Sequence, residues 1–156
     1  MKTLIICRSY HHMNTAKVAS AIAGVLGPEV KAPTEVDPNS VLSYDMIGFG
    51  SGIYFGKLDK SLRELADKLP QANGKKAFIF STSGRTGDVK EKFHRALREK
   101  LLAKGFTVAG EFNCAGFDTY GLLRLGGGLN KGQPNQDDLK KAEEFARSLN
   151  QTEVKG

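Results

Sequence analysis

Apolar residues in this chain follow two rhythms, short unbroken runs and stretches spaced three and four apart, and the two alternate along its length. TLIIC at 3–7 is too short for a helix and predicts a buried strand; a polar loop follows, then Ala19, Ile22, Ala23 and Leu26 at helical spacing. Gly27 and Pro28 stop that helix, since glycine accepts the left-handed cap and proline cannot continue the turn. EVKA at 29–32 predicts a second strand, and a connection rich in Pro and Asp runs through 36–40. MIGFGS at 46–51 predicts a third buried strand that ends in a loop carrying Tyr54 and Phe55, and Asp59 opens a helix faced by Leu62, Leu65, Ala66 and Leu69.

KAFIFS at 76–81 predicts a fourth strand, followed by the small polar loop TSGRTG. The next helix bears Val89, Phe93, Ala96, Leu97 and Leu101, with Asp88 and Glu91 spaced as a capping box and Gly105 as its stop. Residues 107–114 predict a fifth strand. A Gly-rich loop spans 115–133, and Pro134 with Asn135 introduces a last helix faced by Ala142, Phe145, Ala146 and Leu149. Strands alternating with helices imply a mainly parallel sheet covered on both faces, because parallel neighbours need crossover connections of one hand. One α/β domain over 1–150 with a polar tail at 151–156 is expected.

Composition changes this picture little. Apolar residues make up 40% and charged residues 26%, the balance of an ordinary globular chain that buries one core. The apolar run before Arg8 is too brief for a signal sequence and no stretch approaches the roughly 20 residues of a membrane span, so a cytoplasmic protein without a membrane span is expected. Cys7 and Cys114 stand far apart, in neither a metal nor a dithiol spacing, and read as two buried, reduced thiols. The net charge is +6, from 23 Lys and Arg against 17 Asp and Glu, spread along the chain and without a nucleic-acid module, so no nucleic-acid partner is expected.

In an open parallel sheet a ligand binds beyond the carboxyl ends of the strands, where the strand order reverses. The loops after strands one, three and four are therefore the candidate site. Ser9, Asn14 and Thr15 lie between a buried strand and a helix amino end, whose free amides and dipole favour an anion; hydroxyl and amide side chains add donors to phosphate oxygens. Simple capping by Asn14 or Thr15 is the other reading. His11 and His12 read as donors near a phosphate or as plain surface histidines; adjacent loop residues rarely point at one metal ion, and His94 is the one further histidine, on a helix. In the second loop, Ser51, Gly52, Ile53, Tyr54, Phe55 and Gly56 place aromatics among glycines, either to stack on a flat heterocycle or to cover the sheet edge. Thr82, Ser83 and Gly84 open the third, small enough for a backbone to lie against a planar ring. One phosphate-type and two ring-type loops at one edge point to a mononucleotide with a large aromatic head.

From Lys2 to about Leu149 these residues resemble the flavodoxin family. Ser9 with Asn14 and Thr15 resembles its phosphate loop, and the resemblance places Ser9, His11, His12, Met13, Asn14 and Thr15 around an FMN phosphate. GSGIYFGKLDKSL resembles the loop flanking one face of the isoalloxazine, entered at Ser51 and Gly52 and carried by Ile53, Tyr54, Phe55 and Gly56. STSGRTGD resembles the loop on the other side, with Thr82, Ser83 and Gly84 near the ring or ribityl chain, and FNCAGFDTYG sets Phe117 and Asp118 near the site. The resemblance implies a flavodoxin-like five-stranded parallel sheet of order 2-1-3-4-5 with helices on both faces. It further implies FMN as cofactor and electron transfer as function, with a redox partner protein or a small electron acceptor, in a monomer or homodimer.

The chain departs from the family in a phosphate loop one residue longer than the commonest pattern, with histidines where small residues usually lie. It departs also in charge: typical flavodoxins are acidic, whereas this chain is basic, with Lys57, Arg85 and Arg124 in or beside the ring loops. That balance suits an acidic partner. It also leaves open an FMN-dependent oxidoreductase, either a quinone or NAD(P)H reductase or a flavodoxin-type protoporphyrinogen oxidase, that binds an anionic substrate.

Overall fold

A computed structural model of the chain describes residues 2–9, 14–27, 29–54, 57–83, 89–115 and 134–154. The first apolar run forms β1 (Thr3–Arg8), and helix α1 (Asn14–Leu26) returns the chain to the short β2 (Glu29–Lys31). Two 3-10 turns, Pro33–Glu35 and Pro38–Ser43, occupy the Pro-rich connection; β3 (Met46–Tyr54) and β4 (Lys57–Leu58) follow. Helix α2 (Lys60–Lys68), β5 (Lys76–Ser83), the helices α3 (Val89–Phe93) and α4 (Arg95–Ala103), β6 (Thr107–Ala115) and α5 (Gln136–Val154) complete the order.

β2, β1, β3, β5 and β6 run parallel in that spatial order. This is the expected 2-1-3-4-5 arrangement, renumbered because the unexpected β4 lies off the path, antiparallel to the end of β3. The third strand therefore continues past Ser51 to Tyr54, and Thr82 and Ser83 belong to β5 and not to a loop. The expected single helix at 89–103 is two, broken at His94. The last helix runs on through 150 to Val154.

The local signals act where the sequence puts them. Gly27 (φ 70°) closes α1, its N–H donating to Ala23 O at 2.8 Å. Gly105 (φ 87°) closes α4, while Phe106 N–H reaches back to Leu101 O at 3.1 Å. Asp59 caps α2 by accepting from Ser61 N at 2.9 Å and from the Ser61 hydroxyl. Asn135 and Asp138 cap α5 reciprocally, each side-chain oxygen accepting from the other's backbone N–H, at 3.0 and 2.9 Å.

Period-two alternation divides the core. Leu4, Ile6, Ile47, Phe49, Ala77 and Ile79 pack with Leu62, Leu65, Leu97 and Leu101 of α2 and α4. Ile5, Met46, Phe78 and Phe80 pack with Val18, Ile22, Ala142, Ala146 and Leu149 of α1 and α5. Gly48 and Gly50 on the second face leave room for the rings beside them: a Cβ at Gly48 would stand 2.2 Å from Phe78, and one at Gly50 would stand 2.1 Å from Phe80. The two rings stack at 6.1 Å, and Phe145 of α5 meets Phe78 edge-on at 6.0 Å.

Candidate functional site

The chain passes from β1 to β2 on one side and then to β3 on the other, so the order reverses between β1 and β3. Register carries a polar row across the sheet just there, with Arg8 beside Ser51, Ser51 beside Ser81 and Ser81 beside Asn113. In the next row Gly52 pairs with Thr82 and Thr82 with Cys114. Residues of the β1, β3 and β5 ends are thus brought together at one edge.

Ser9 Oγ accepts from Ala16 N at 3.2 Å and so ties the outgoing loop to the first turn of α1. Asn14 is the first residue of that helix. Thr15, 1% exposed, shares a 2.8 Å hydrogen bond with the buried Thr82 hydroxyl, either oxygen able to donate. This bond joins the β1 side of the edge to the end of β5. No acidic side chain stands in the first turn of α1, so its amide ends keep their positive potential.

Ser51 is fully buried, and its hydroxyl is used within the protein: it donates to Gly52 O at 2.7 Å and accepts from Asp59 N at 2.9 Å, bracing β3 against the cap of α2. Gly52 is buried beside Thr82, and Ile53 leans on the α2 side of the core. Tyr54 ends β3, where its backbone pairs with Lys57. Ser83, half-buried, receives a 3.3 Å bond from Asn113 Nδ2. His11, His12, Met13, Phe55, Gly56, Gly84, Phe117 and Asp118 lie outside the described residues, as do Arg85, Asp88 and Arg124.

A second group of polar residues had no signal in the periodicity. His94, wholly buried at the break between α3 and α4, places Nε2 2.6 Å from Ser81 Oγ and Nδ1 3.0 Å from Glu111 Oε1. Arg98 grips the same carboxylate through Nε at 2.8 Å and Nη2 at 3.0 Å, and Nη2 also donates to Lys90 O at 2.8 Å. Asn113 Nδ2 donates to Ser81 Oγ at 2.9 Å. Burial alone would raise the Glu111 pKa, but the hydrogen bonds from His94 and Arg98 and the positive charge of Arg98 outweigh it and hold the carboxyl at about 2. Serine, histidine and carboxylate in this order is the arrangement that activates a nucleophilic serine. Ser81 has no exposed surface, so here the chain of bonds positions a strand end.

A bulge makes this cluster possible. Ala77 pairs with Val108 but Phe78 pairs with Gly110, so one extra residue enters β6. Strict alternation from Val108 would turn Glu111 and Asn113 toward α5; the extra residue turns them toward α4, where His94 and Ser81 wait. The two thiols are unpaired, and burial pushes each up to about 12; Cys114 is buried and Cys7 only partly so. A cleft of about 290 Å³, lined in part by Cys7, Arg8, Ser9, Ala16, Val30 and Lys31, opens on the β2 flank of β1 and shares Ser9 and Ala16 with the start of α1 at the candidate edge. The order reversal and the Thr15 to Thr82 bond lie on the β3 flank, and that flank is the better candidate site on topology.

These features define an open, doubly wound α/β protein with, among the described residues, a hydroxyl-rich set of side chains around the reversal point. A family model described as Flavodoxin domain matches residues 5–120, and the chain belongs to the flavodoxin family. It is 52% identical over 149 residues to uncharacterized protein MJ0298 of Methanocaldococcus jannaschii, covering 96% of this chain and 98% of the relative. Among solved structures it resembles a flavodoxin from the domain Archaea at a TM-score of 0.73 and 17% identity, covering 97% of this chain and 98% of that one. It resembles oxidised Flavodoxin 2 from Bacillus cereus at 0.73 and 18%, covering 97% and 99%. These structural likenesses concern the fold.

Proposed function

We propose that the chain binds FMN at the reversal between β1 and β3 and carries electrons to a redox partner. Flavodoxins are themselves the familiar instance of ligand binding at this kind of reversal. The observation that supports it most is the Thr15 to Thr82 hydrogen bond, which fastens the start of α1, suited to a phosphate, to a strand end suited to a ring. The donors fit the group. Backbone amides at the start of α1, with Ser9 and Asn14 beside them and no first-turn carboxylate, suit a phosphate monoester. The narrow edge formed by Gly52, Thr82 and Ser83 suits the side of a flat heterocycle.

Bound FMN supplies the electron-accepting and electron-donating chemistry, and the chain orients and shields it. Ser9, Asn14 and Thr15, with His11, His12 and Met13, would hold the phosphate. Ile53, Tyr54, Phe55 and Gly56 would flank one face of the ring; Thr82, Ser83 and Gly84 would lie at the other side, with Phe117 and Asp118 near by. The net charge of +6 and the exposed Lys57 suit an acidic partner protein. The same charge favours a second reading, an FMN-dependent oxidoreductase with an anionic substrate.

The visible spectrum of protein freshly purified from cells tests the cofactor. Flavin absorption bands, with FMN as the released compound, are expected; a colourless protein that stays colourless when FMN is supplied would refute it. Sustained NAD(P)H oxidation with a quinone present would move the chain from carrier to oxidoreductase.

A further inference from the structure

We propose that His94 is a positioning residue, held by Glu111 and Arg98 as the neutral tautomer with its proton on Nδ1, which fixes the end of β5 in the form that receives the flavin. This rests on the FMN reading given above. The Glu111 carboxylate only accepts, which fixes the direction of the bonds on the Nδ1 side. The Glu111 carboxylate faces His94 Nδ1 and the Arg98 guanidinium, so both of these donate to it. A neutral ring with its proton on Nδ1 leaves Nε2 as an acceptor, and Ser81 Oγ, 2.6 Å away, donates to it. Asn113 Nδ2 then donates into the free lone pairs of Ser81 Oγ at 2.9 Å and reaches Ser83 Oγ at 3.3 Å.

The result is that three successive side chains of β5 are tied in three directions. Ser81 is held to His94 beside α4, Thr82 to Thr15 on α1, and Ser83 to Asn113 on β6. Thr82 and Ser83 are the described residues of β5 assigned to the ring. A protonated ring would donate from Nε2 into Ser81, whose hydroxyl proton would then need another acceptor. Apolar side chains of similar volume would fill this space at comparable stability, whereas a bonded chain also fixes orientation.

Two substitutions separate position from packing. Gln at 94 places an acceptor where Nε2 stands and loses the Glu111 bond; Asn at 94 reaches the Nδ1 position and loses the Ser81 bond. With both variants checked for native circular dichroism, His94→Gln is expected to bind FMN within about threefold of the unsubstituted protein and His94→Asn at least about tenfold more weakly, the loss typical of a buried bond left unmade. Equal affinities in the two variants, or the weaker one in His94→Gln, would overturn the proposal. Ser81→Ala, which removes one oxygen, carries the same tenfold expectation if His94→Asn does not fold.

The tautomer is measured separately, by imidazole nitrogen resonances of the flavin-free protein at neutral pH. Protonated Nδ1 and bare Nε2 are expected, and the opposite tautomer or a cationic ring would overturn the hydrogen-bond chain. Failure of the unsubstituted protein to bind FMN would instead remove the FMN reading, and the resonances would still judge the chain of bonds.

Discussion

Replacing Glu111 with Gln isolates the buried cluster and has a signature in pH. The folded carboxyl titrates at about 2 against an ordinary value of 4.5, a depression made by His94 and Arg98 against the opposing effect of burial. A depressed carboxyl contributes stability that is fully present above its unfolded value and is lost as pH falls toward the folded one. Here that window runs from about 4.5 down to about 2. The whole difference is worth about 3 kcal/mol, and about 2 kcal/mol of it is gone by pH 3. Only 18% of the Glu111 side chain is exposed, so solvent screening removes little of this.

Urea unfolding at pH 7, 5 and 3 reads the effect through the midpoint at constant slope. At pH 7 the variant should be less stable by about 3 kcal/mol, because Arg98 and His94 lose a charged partner. Between pH 7 and pH 3 the unsubstituted protein should lose about 2 kcal/mol more than the variant, since every other carboxyl is common to both. Parallel losses in the two proteins would show that Glu111 is not held ionised by the cluster, and the bond directions around His94 would fall with it.

Other positions carry independent expectations. Gly50→Ala puts a methyl group into the Phe80 ring and should cost about 1–3 kcal/mol or more in chemical unfolding, and a loss under 0.5 kcal/mol would contradict the packing of that face. Thr15→Ala should weaken riboflavin as well as FMN, because its hydroxyl bonds Thr82; an effect on FMN alone would make Thr15 a phosphate ligand only. Lys57→Glu should lower the potential for adding the second electron, with a shift that shrinks as salt is raised. A charge at about 8 Å is worth roughly 20 to 90 mV per electron. Exposed Lys57 belongs at the low end, and anaerobic titration showing no change at low salt would assign its charge to docking.

The sequence carries the sheet because each strand is an apolar run set between helical spacings, and each helix that sequence ended at glycine does end there, at Gly27 and Gly105. It places the candidate edge too, since topology alone puts the ends of β1, β3 and β5 together. What it hides has physical causes. Gly52 to Tyr54 read as loop because a glycine and aromatics follow the apolar run, and Thr82 and Ser83 because they are small and polar, yet neighbouring strands pair with all of them. Ser51 reads as a ligand for the same reason, although its hydroxyl is spent on Gly52 and Asp59. His94 sits among Phe93, Ala96 and Leu97 like any helix residue, and no periodicity announces the break beneath it. Glu111 was the available hint, the one charged residue in its strand. Its partner could not be named without the bulge, which a period-two reading steps over.

The most direct test of FMN binding at the β1 and β3 reversal is a calorimetric titration of flavin-free protein with FMN and with riboflavin. It belongs in phosphate-free buffer, because inorganic phosphate would compete for the same amides. Charge-assisted bonds to the phosphate contribute on the order of 1.5 to 3 kcal/mol each, so FMN is expected to bind at one site and at least about tenfold more tightly than riboflavin. Equal affinity for the two flavins would contradict the phosphate loop, and no heat of binding from either would contradict the site itself.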